Sequence, residues 1–427
     1  MESKAKTTIT FHSGILTIGG TVIEVAYQDT HIFFDFGTEF RPELDIDDEL
    51  QTMIDHRLVP ELKDIYDPRL DYTYRGSDEK TYTHTAAFMS HVHLDHSRMV
   101  NYLNPAIPLY TLKESKAILN ELNRHGDFLI PSPFEAKGYT RPMIGLEPHD
   151  VIQVGAISVE IVRVDHDAYG AAALLIRTPD QLITYTGDLR LHGHNAEDTL
   201  AFCEQAKGTD VLMMEGVSIS FPEREASADK IRSEEALIQR IVKIVEENPQ
   251  RQLTFNGYPA NVKRFEKIIE HSPRTVVLEA NMAALLLEIF GLHVPYYYLE
   301  TTPKNPQLNP ELMIDYQVLL ADQATYLWQV VDHFDQLQAG GLYIHSDAQP
   351  LGDFDPAYAV FLDLLASKDI EFVRLACTGH AFPDDLAKII SLIQPKLLVP
   401  IHTLHPEKLM NPYGERILPA RGTSITL

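Results

Sequence analysis

The stretch Ser90-His91-Val92-His93-Leu94-Asp95-His96-Ser97 constrains this chain more than any other. Four potential metal ligands lie within residues 91–96, directly after the apolar run Ala86-Ala87-Phe88-Met89. The apolar run predicts a buried strand, and the polar cluster the loop that leaves it. At strand spacing His91, His93 and Asp95 share one face, because alternate side chains point the same way. His96 then points elsewhere unless the loop turns at once. A helix does no better, since positions two apart do not face each other. The arrangement that uses all four is a tight loop serving two neighbouring ions, with His91 and His93 on one and Asp95 and His96 on the other.

The rest of the chain sets the frame. At 427 residues it exceeds a single core, so two domains are expected. No apolar run approaches a membrane span, the stretch 171–176 being typical of the longest, and residues 1–6 lack the apolar core of a signal peptide. Cys203 and Cys377 cannot form a disulfide framework and neither sits in a Cys-x-x-Cys pair, so a reducing cytoplasm is expected. The 36 basic residues face 61 acidic ones, a net charge of −25 that argues against nonspecific binding to nucleic acid. Bound divalent cations can still dominate the local field of a site in such a protein.

Taken in order, residues 7–37 predict paired strands at 7–12, 14–18, 21–27 and 31–36, with Gly19-Gly20 as a tight turn. Residues 38–80 are poorly periodic, with a short helix near 47–56, and 112–126 reads as a helix. Strands follow at 151–154, 157–164, 171–177 and 182–186. Asp165-His166-Asp167 leaves one of them, and Thr186-Gly187-Asp188 puts a carboxylate at the end of another. Beyond these come strands at 209–214, 252–256, 276–279, 317–320, 341–346, 371–377 and 397–401. Helices are expected near 233–247, 260–271, 355–367 and 384–394, and last strands at 416–418 and 424–427. Alternating strands and helices imply an α/β layered fold.

His-x-His-x-Asp-His, followed by His166 after one strand and Asp188 after another, resembles the metallo-β-lactamase superfamily. The layout from there on is similar to its β-CASP branch, and within that branch to the bacterial ribonuclease J family. The resemblance implies an αββα sandwich in two pieces, residues 1–205 and 376–427, with an α/β β-CASP domain inserted over 206–375. It implies that Asp35 buttresses the metal loop. It further implies an acidic motif residue, matched by Glu215, and a histidine in Thr378-Gly379-His380 that stabilises developing charge or protonates the leaving group. The last metal ligand is matched by His402 in Pro400-Ile401-His402, where histidine accompanies RNA substrates. Two departures stand out. Gly216-Val217 replaces the usual small hydroxyl pair, and Thr403-Leu404-His405 stands where Gly-Glu is common, which makes His405 a rival to His402. The family's additional C-terminal domain is not expected in a chain ending at Leu427.

By the same resemblance His91, His93 and His166 hold one ion, Asp95, His96 and His402 the other, and Asp188 bridges. The donor set contains no thiolate, so two catalytic zinc ions are expected, with manganese or iron suited to the same donors. Two such ions would activate a water and clamp an in-line phosphoryl displacement. The expected function is therefore hydrolysis of RNA phosphodiester bonds, with Asp95, Glu215 and His380 in the catalytic set, RNA as partner and no membrane. A homodimer is left open. So are a hydrolase of a small ester, thioester or lactone and a non-catalytic β-CASP scaffold subunit. For substrate contacts the expectation falls on Ser346 and on a basic lip built from Lys263, Arg264 and Lys267. Ten basic residues lie between Arg224 and Arg274, whereas 305–367 contains no lysine or arginine.

Overall fold

The computed structural model of the chain describes residues 5–39, 41, 44, 46–76, 82–221, 231–352 and 355–427. It divides into two compact units, Met1–Leu191 with Asn195–Ser227 and Gly379–Leu427, and His192–His194 with Ala228–Thr378. No helix among the described residues is long and apolar enough to cross a membrane.

In the first unit the chain begins with β1 (Thr8–Ser13), β2 (Val22–Tyr27), β3 (Thr30–Phe34), β4 (His84–Phe88), β5 (Leu109–Leu112) and β6 (Ile144–Leu146). It continues through β7 (Val151–Val154), β8 (Ile157–Arg163), β9 (Ala172–Arg177), β10 (Leu182–Tyr185) and β11 (Val211–Glu215). The second unit supplies β12 (Leu253–Gly257), β13 (Thr275–Glu279), β14 (Tyr296–Tyr297), β15 (Tyr326–Gln329), β16 (Leu342–Ser346) and β17 (Glu371–Arg374). The chain then returns to the first unit with β18 (Leu397–Ile401), β19 (Glu415–Arg416) and β20 (Thr423–Thr426).

The first unit is a sandwich of two seven-stranded sheets, ordered β20-β1-β2-β3-β4-β5-β6 and β19-β18-β11-β10-β9-β8-β7. Alternate residues of each strand meet in the space between them: Ile9, Phe11, Ile23, Val25 and Phe34 from one sheet, Ile161, Leu174, Tyr185, Met213 and Val399 from the other. The opposite face of the second sheet, with Leu175, Leu212, Met214 and Leu398, is covered by helices Ala196–Gln205 and Pro383–Ile393. Helix Lys113–Leu122 lies on β5 and β6 of the first sheet. Strand β11 is buried along its whole length because it pairs in parallel with both β10 and β18. That pairing puts the described residues 206–221 in the first unit, whereas the sequence predicts an insert over 206–375.

The turn region after β1 differs from expectation. Residues 14–18 form no strand, because Gly14, Leu16 and Gly19 all take positive φ and break the ladder.

The second unit is a six-stranded sheet, β14-β13-β15-β12-β16-β17, in which every pairing is parallel. Parallel neighbours require crossovers, supplied by helices that include Glu234–Glu247, Val262–His271, Ala280–Phe290 and Pro356–Ser367. The expected strand at 317–320 is instead part of helix Tyr316–Ala321, capped by the Asp315 carboxylate on Gln317 N–H. A four-residue apolar run does not distinguish the two, and the capping residue decides. Helix Ala280–Phe290 and β15 have no counterpart in the sequence reading.

The expected basic lip does not form from the residues named for it. Arg264 is 1% exposed. It donates to the Glu234 carboxylate at 2.7 and 2.8 Å, to Asp347 at 2.7 Å and to the Ser346 hydroxyl at 3.1 Å. Lys263 and Lys267 pair along their own helix with Glu266 and Glu270, each at 2.6 Å. Arg224 and Lys230 lie outside the described residues. Breaking one side of a buried ion pair strands the other charge, so Arg264→Ala should cost roughly 3–5 kcal/mol. Denaturant unfolding of this variant should show that loss, and Lys263→Ala should show almost none.

Candidate metal centre

Strand direction builds the site. Strands β9 and β10 run antiparallel and so do β8 and β9, which leaves β8, β10, β11 and β18 pointing the same way. Their C-terminal ends share one edge of the sandwich. From that edge emerge His166 after β8, Asp188 after β10, Glu215 at the end of β11 and His402 after β18. Strand β4 of the other sheet delivers His91 and His93. Helical turn Leu94–Ser97 follows at once and brings Asp95 and His96 round to the same place. The immediate turn that the spacing of His96 required is therefore present.

The donor atoms form two groups, His91, His93, His166 and Asp188, and Asp95, His96, Asp188 and His402, each with its atoms within 4.8 Å of one another. Asp188 belongs to both. His405, the rival to His402, is an exposed side chain whose Nδ1 lies 3.2 Å from Glu407. His402 is 1% exposed and sits inside the second group.

Second contacts fix which nitrogen of each ring faces inward. Asp35, fully buried with φ 59°, accepts from Ser90 N–H at 2.7 Å, the Ser90 hydroxyl at 2.8 Å and His96 Nδ1–H at 2.8 Å. It also accepts the Tyr185 hydroxyl. With its proton committed to Asp35, Ser90 Oγ accepts from His91 Nδ1–H at 3.0 Å. His166 Nδ1–H donates to the Gly379 carbonyl at 2.6 Å. His91, His96 and His166 thus turn Nε2 lone pairs toward the site. Such carboxylate, hydroxyl and carbonyl contacts are the usual means of orienting metal-binding imidazoles.

The inward atoms lack protons to share. His91 Nε2, His96 Nε2, His402 Nε2 and both Asp188 oxygens are buried without a hydrogen-bond partner. Asp188 Oδ2 stands 3.6 Å from His91, 3.4 Å from His96, 3.9 Å from His166 and 3.8 Å from His402. Two donors on one tetrahedral ion at ordinary bond lengths sit about 3.3 Å apart. Unpartnered donors at this spacing fit a bound cation, which supplies the charge that buried lone pairs otherwise lack.

Titration follows the same field. Burial pulls His91 well below the usual imidazole range, and burial together with His93 takes His166 down to about 3 against the pull of Asp167. Both rings are then neutral and fit to ligate at neutral pH. Asp188 is held far below the carboxylate range, since His402 and His96 outweigh the effect of its burial. His380 goes the other way: burial opposes protonation, but Glu215 and then Asp188 raise it to about 10.

His380 lies beside the donors, its ring 5.3 Å from His166 and 5.9 Å from His402 by centroid. Its Nδ1 is 3.2 Å from Glu215 Oε1, and its side chain is 21% exposed. Glu215 is 1% exposed and also takes Val217 N–H at 2.9 Å, so it positions His380 and does not itself face solvent. Ser346, at the end of β16 in the second unit, is fully buried against Arg264 and presents no surface to a ligand.

Sequence reasoning assigned no role to Asp167, although it sits next to His166. Its Oδ1 is buried without a hydrogen bond, 3.2 Å from His166 Nε2 and 3.5 Å from His93 Nε2. A side chain at Gly379 would place Cβ 2.3 Å from that oxygen, so the glycine reserves its space. Gly37 has a similar role, since a Cβ there would meet the Asp95 carbonyl oxygen at 1.7 Å.

Elemental analysis tests these assignments. Asp188→Ala should lower the content of both ions, His402→Ala that of one, and His405→Ala neither. Asp167→Asn removes a negative charge beside the Nε2 atoms of His93 and His166 and should weaken binding of the ion held there, with the second ion unaffected.

Comparison with known proteins places the chain. No protein-family model matches it. It is 21% identical over 431 aligned residues to ribonuclease J of Helicobacter pylori (strain J99 / ATCC 700824), an alignment covering 94% of this chain. The chain spans 56% of that protein's length. A crystal structure of a protein of unknown function from Enterococcus faecalis V583 matches with a TM-score of 0.96 and 74% identity, covering 99% of this chain and all of that one. With that identity over nearly its full length, the chain belongs to the same family as the Enterococcus faecalis protein.

Proposed function

We propose that the chain is a metal-dependent phosphodiesterase acting on RNA, built on the metallo-β-lactamase fold of the β-CASP branch with the second unit as the β-CASP insert. The observation that carries this reading is the pair of buried donor groups sharing Asp188, with the Glu215–His380 pair beside them. The distant similarity to ribonuclease J supports the substrate class.

His91, His93 and His166 would hold one divalent cation, and Asp95, His96 and His402 a second, with Asp188 between them. Zinc suits these donors, as do manganese and iron. Bound there, such ions supply Lewis acidity and a water that is acidic near neutral pH. The protein's own residues do the remainder. Asp35 and the Gly379 carbonyl keep the imidazole lone pairs aimed. Glu215 keeps the His380 imidazolium charged and oriented, where it can stabilise negative charge on phosphoryl oxygens or give a proton to the departing ribose oxygen.

One observation favours a second reading. The net charge is −25, and Lys263, Arg264 and Lys267 are all paired within the second unit. A small ester, thioester or lactone would suit such a protein. Incubating the metal-loaded protein with end-labelled RNA, single-stranded DNA and an ester panel separates the readings. RNA cleavage that exceeds DNA cleavage is expected; turnover confined to esters would sink the proposal. His380→Ala should keep its metal content and lose about 10²-fold or more in turnover on RNA. Unchanged turnover would reduce His380 to a structural part.

A further inference from the structure

The first unit carries a second concave feature that none of the metal donors lines. A cleft of about 670 Å³ opens over the outward face of β1, walled by residues 54–63 and 74–76 and by the segment before β20. Its floor holds His12, whose Nε2 meets Glu24 Oε2 at 2.9 Å. Glu24 is fully buried, and its other oxygen takes His31 Nδ1 at 2.6 Å. A carboxylate at zero exposure between two imidazoles fixes both rings, and nothing in the metal centre uses them.

The rim concentrates cations on a strongly acidic protein. Arg57, Lys63, Arg75 and Arg421 line the cleft, against Asp55 and Glu61. Both acids pair with Arg75, and Arg421 pairs with Glu39 at 2.7 Å. Arg57 and Lys63 form no ion pair among the described residues, and Arg57 is close enough to Arg421 to add to the effect of burial in lowering it. Glu39 sits by both arginines and offsets part of their charge, but one carboxylate does not balance Arg57, Lys63 and Arg421 together, and the remaining positive charge suits an anion. Tyr74 and Tyr82 supply aromatic wall, with Tyr82 held edge-on to His31 at 4.7 Å.

We infer that this cleft binds a phosphate monoester carrying a planar ring, of the mononucleotide class. The volume suits a ligand of that size, Arg57 and Lys63 suit the phosphate, and the tyrosine rings suit stacking on a base. His12 lines the same cleft, oriented by Glu24. The inference does not depend on the metal centre or on the reaction proposed for it.

Isothermal titration with a 5′-mononucleotide tests it, run on metal-free protein and on metal-free His93→Ala so that the metal centre is not read instead. Both proteins should bind the nucleotide, and both should bind it more tightly than inorganic phosphate or the unphosphorylated nucleoside. The double variant Arg57→Gln/Lys63→Gln changes two residues outside the core and should lose roughly tenfold or more in affinity. His12→Gln should lose affinity without loss of thermal stability. No nucleotide binding to the wild type would overturn the inference. So would binding that survives the double variant unchanged or disappears with His93→Ala, and so would equal affinity for nucleotide, phosphate and nucleoside.

Discussion

Asp35 is the residue on which the candidate metal centre depends. It is one carboxylate at the end of β3, and it ties together the Ser90 backbone, the Ser90 hydroxyl, His96 and Tyr185. Ser90 and His96 belong to the loop after β4, and Tyr185 to the opposite sheet. The contact that aims the imidazoles therefore also bridges the two layers of the sandwich. A buried carboxylate is tolerated only when its lone pairs are taken up, and Asp35 satisfies that with four donors. The loop has little freedom left, because Gly37 packs against the Asp95 carbonyl and Gly20 N–H donates to it at 3.0 Å.

That rigidity gives the donor set its chemical character. Rings whose outer nitrogens are committed to Asp35, Ser90 and Gly379 cannot rotate to relieve the crowding of lone pairs inside. Asp95, Asp167 and Asp188 add negative charge to the same space. The protein can compensate with a proton, as it does on His380, or with cations. Burial keeps His91 and His166 neutral, which leaves the first donor group short of positive charge and receptive to an ion.

The two units use charge differently. In the first, buried acids face imidazoles and leave lone pairs over. In the second, Arg264 is fully matched by Glu234 and Asp347, and this network holds the ends of β16 and of helices Glu234–Glu247 and Val262–His271 together. A sequence run of basic residues there signals internal structure as much as surface. Which of the two applies depends on whether an acid from another element reaches the same point.

The sequence alone determined the donors whose spacing is local. His91, His93, Asp95 and His96 are legible because a short motif allows few geometries, and strand periodicity marks β4, β8, β10 and β18 as segments that end in polar residues. The same logic misassigned 317–320, where an Asp cap outweighed a short apolar run. Tertiary structure alone decided what parallel pairing brings together: β11 in the first unit, Glu215 behind His380, and Asp167 beside His93; it also seats His402, which its strand end already favoured over His405, among the donors. It also decided that Arg264 is internal and that buried Glu24 joins His12, which lines the cleft, to His31 behind it. These outcomes rest on contacts between strands and helices far apart in the chain. Local propensity carries no information about such contacts, and they are fixed only when the sheets close on a common core.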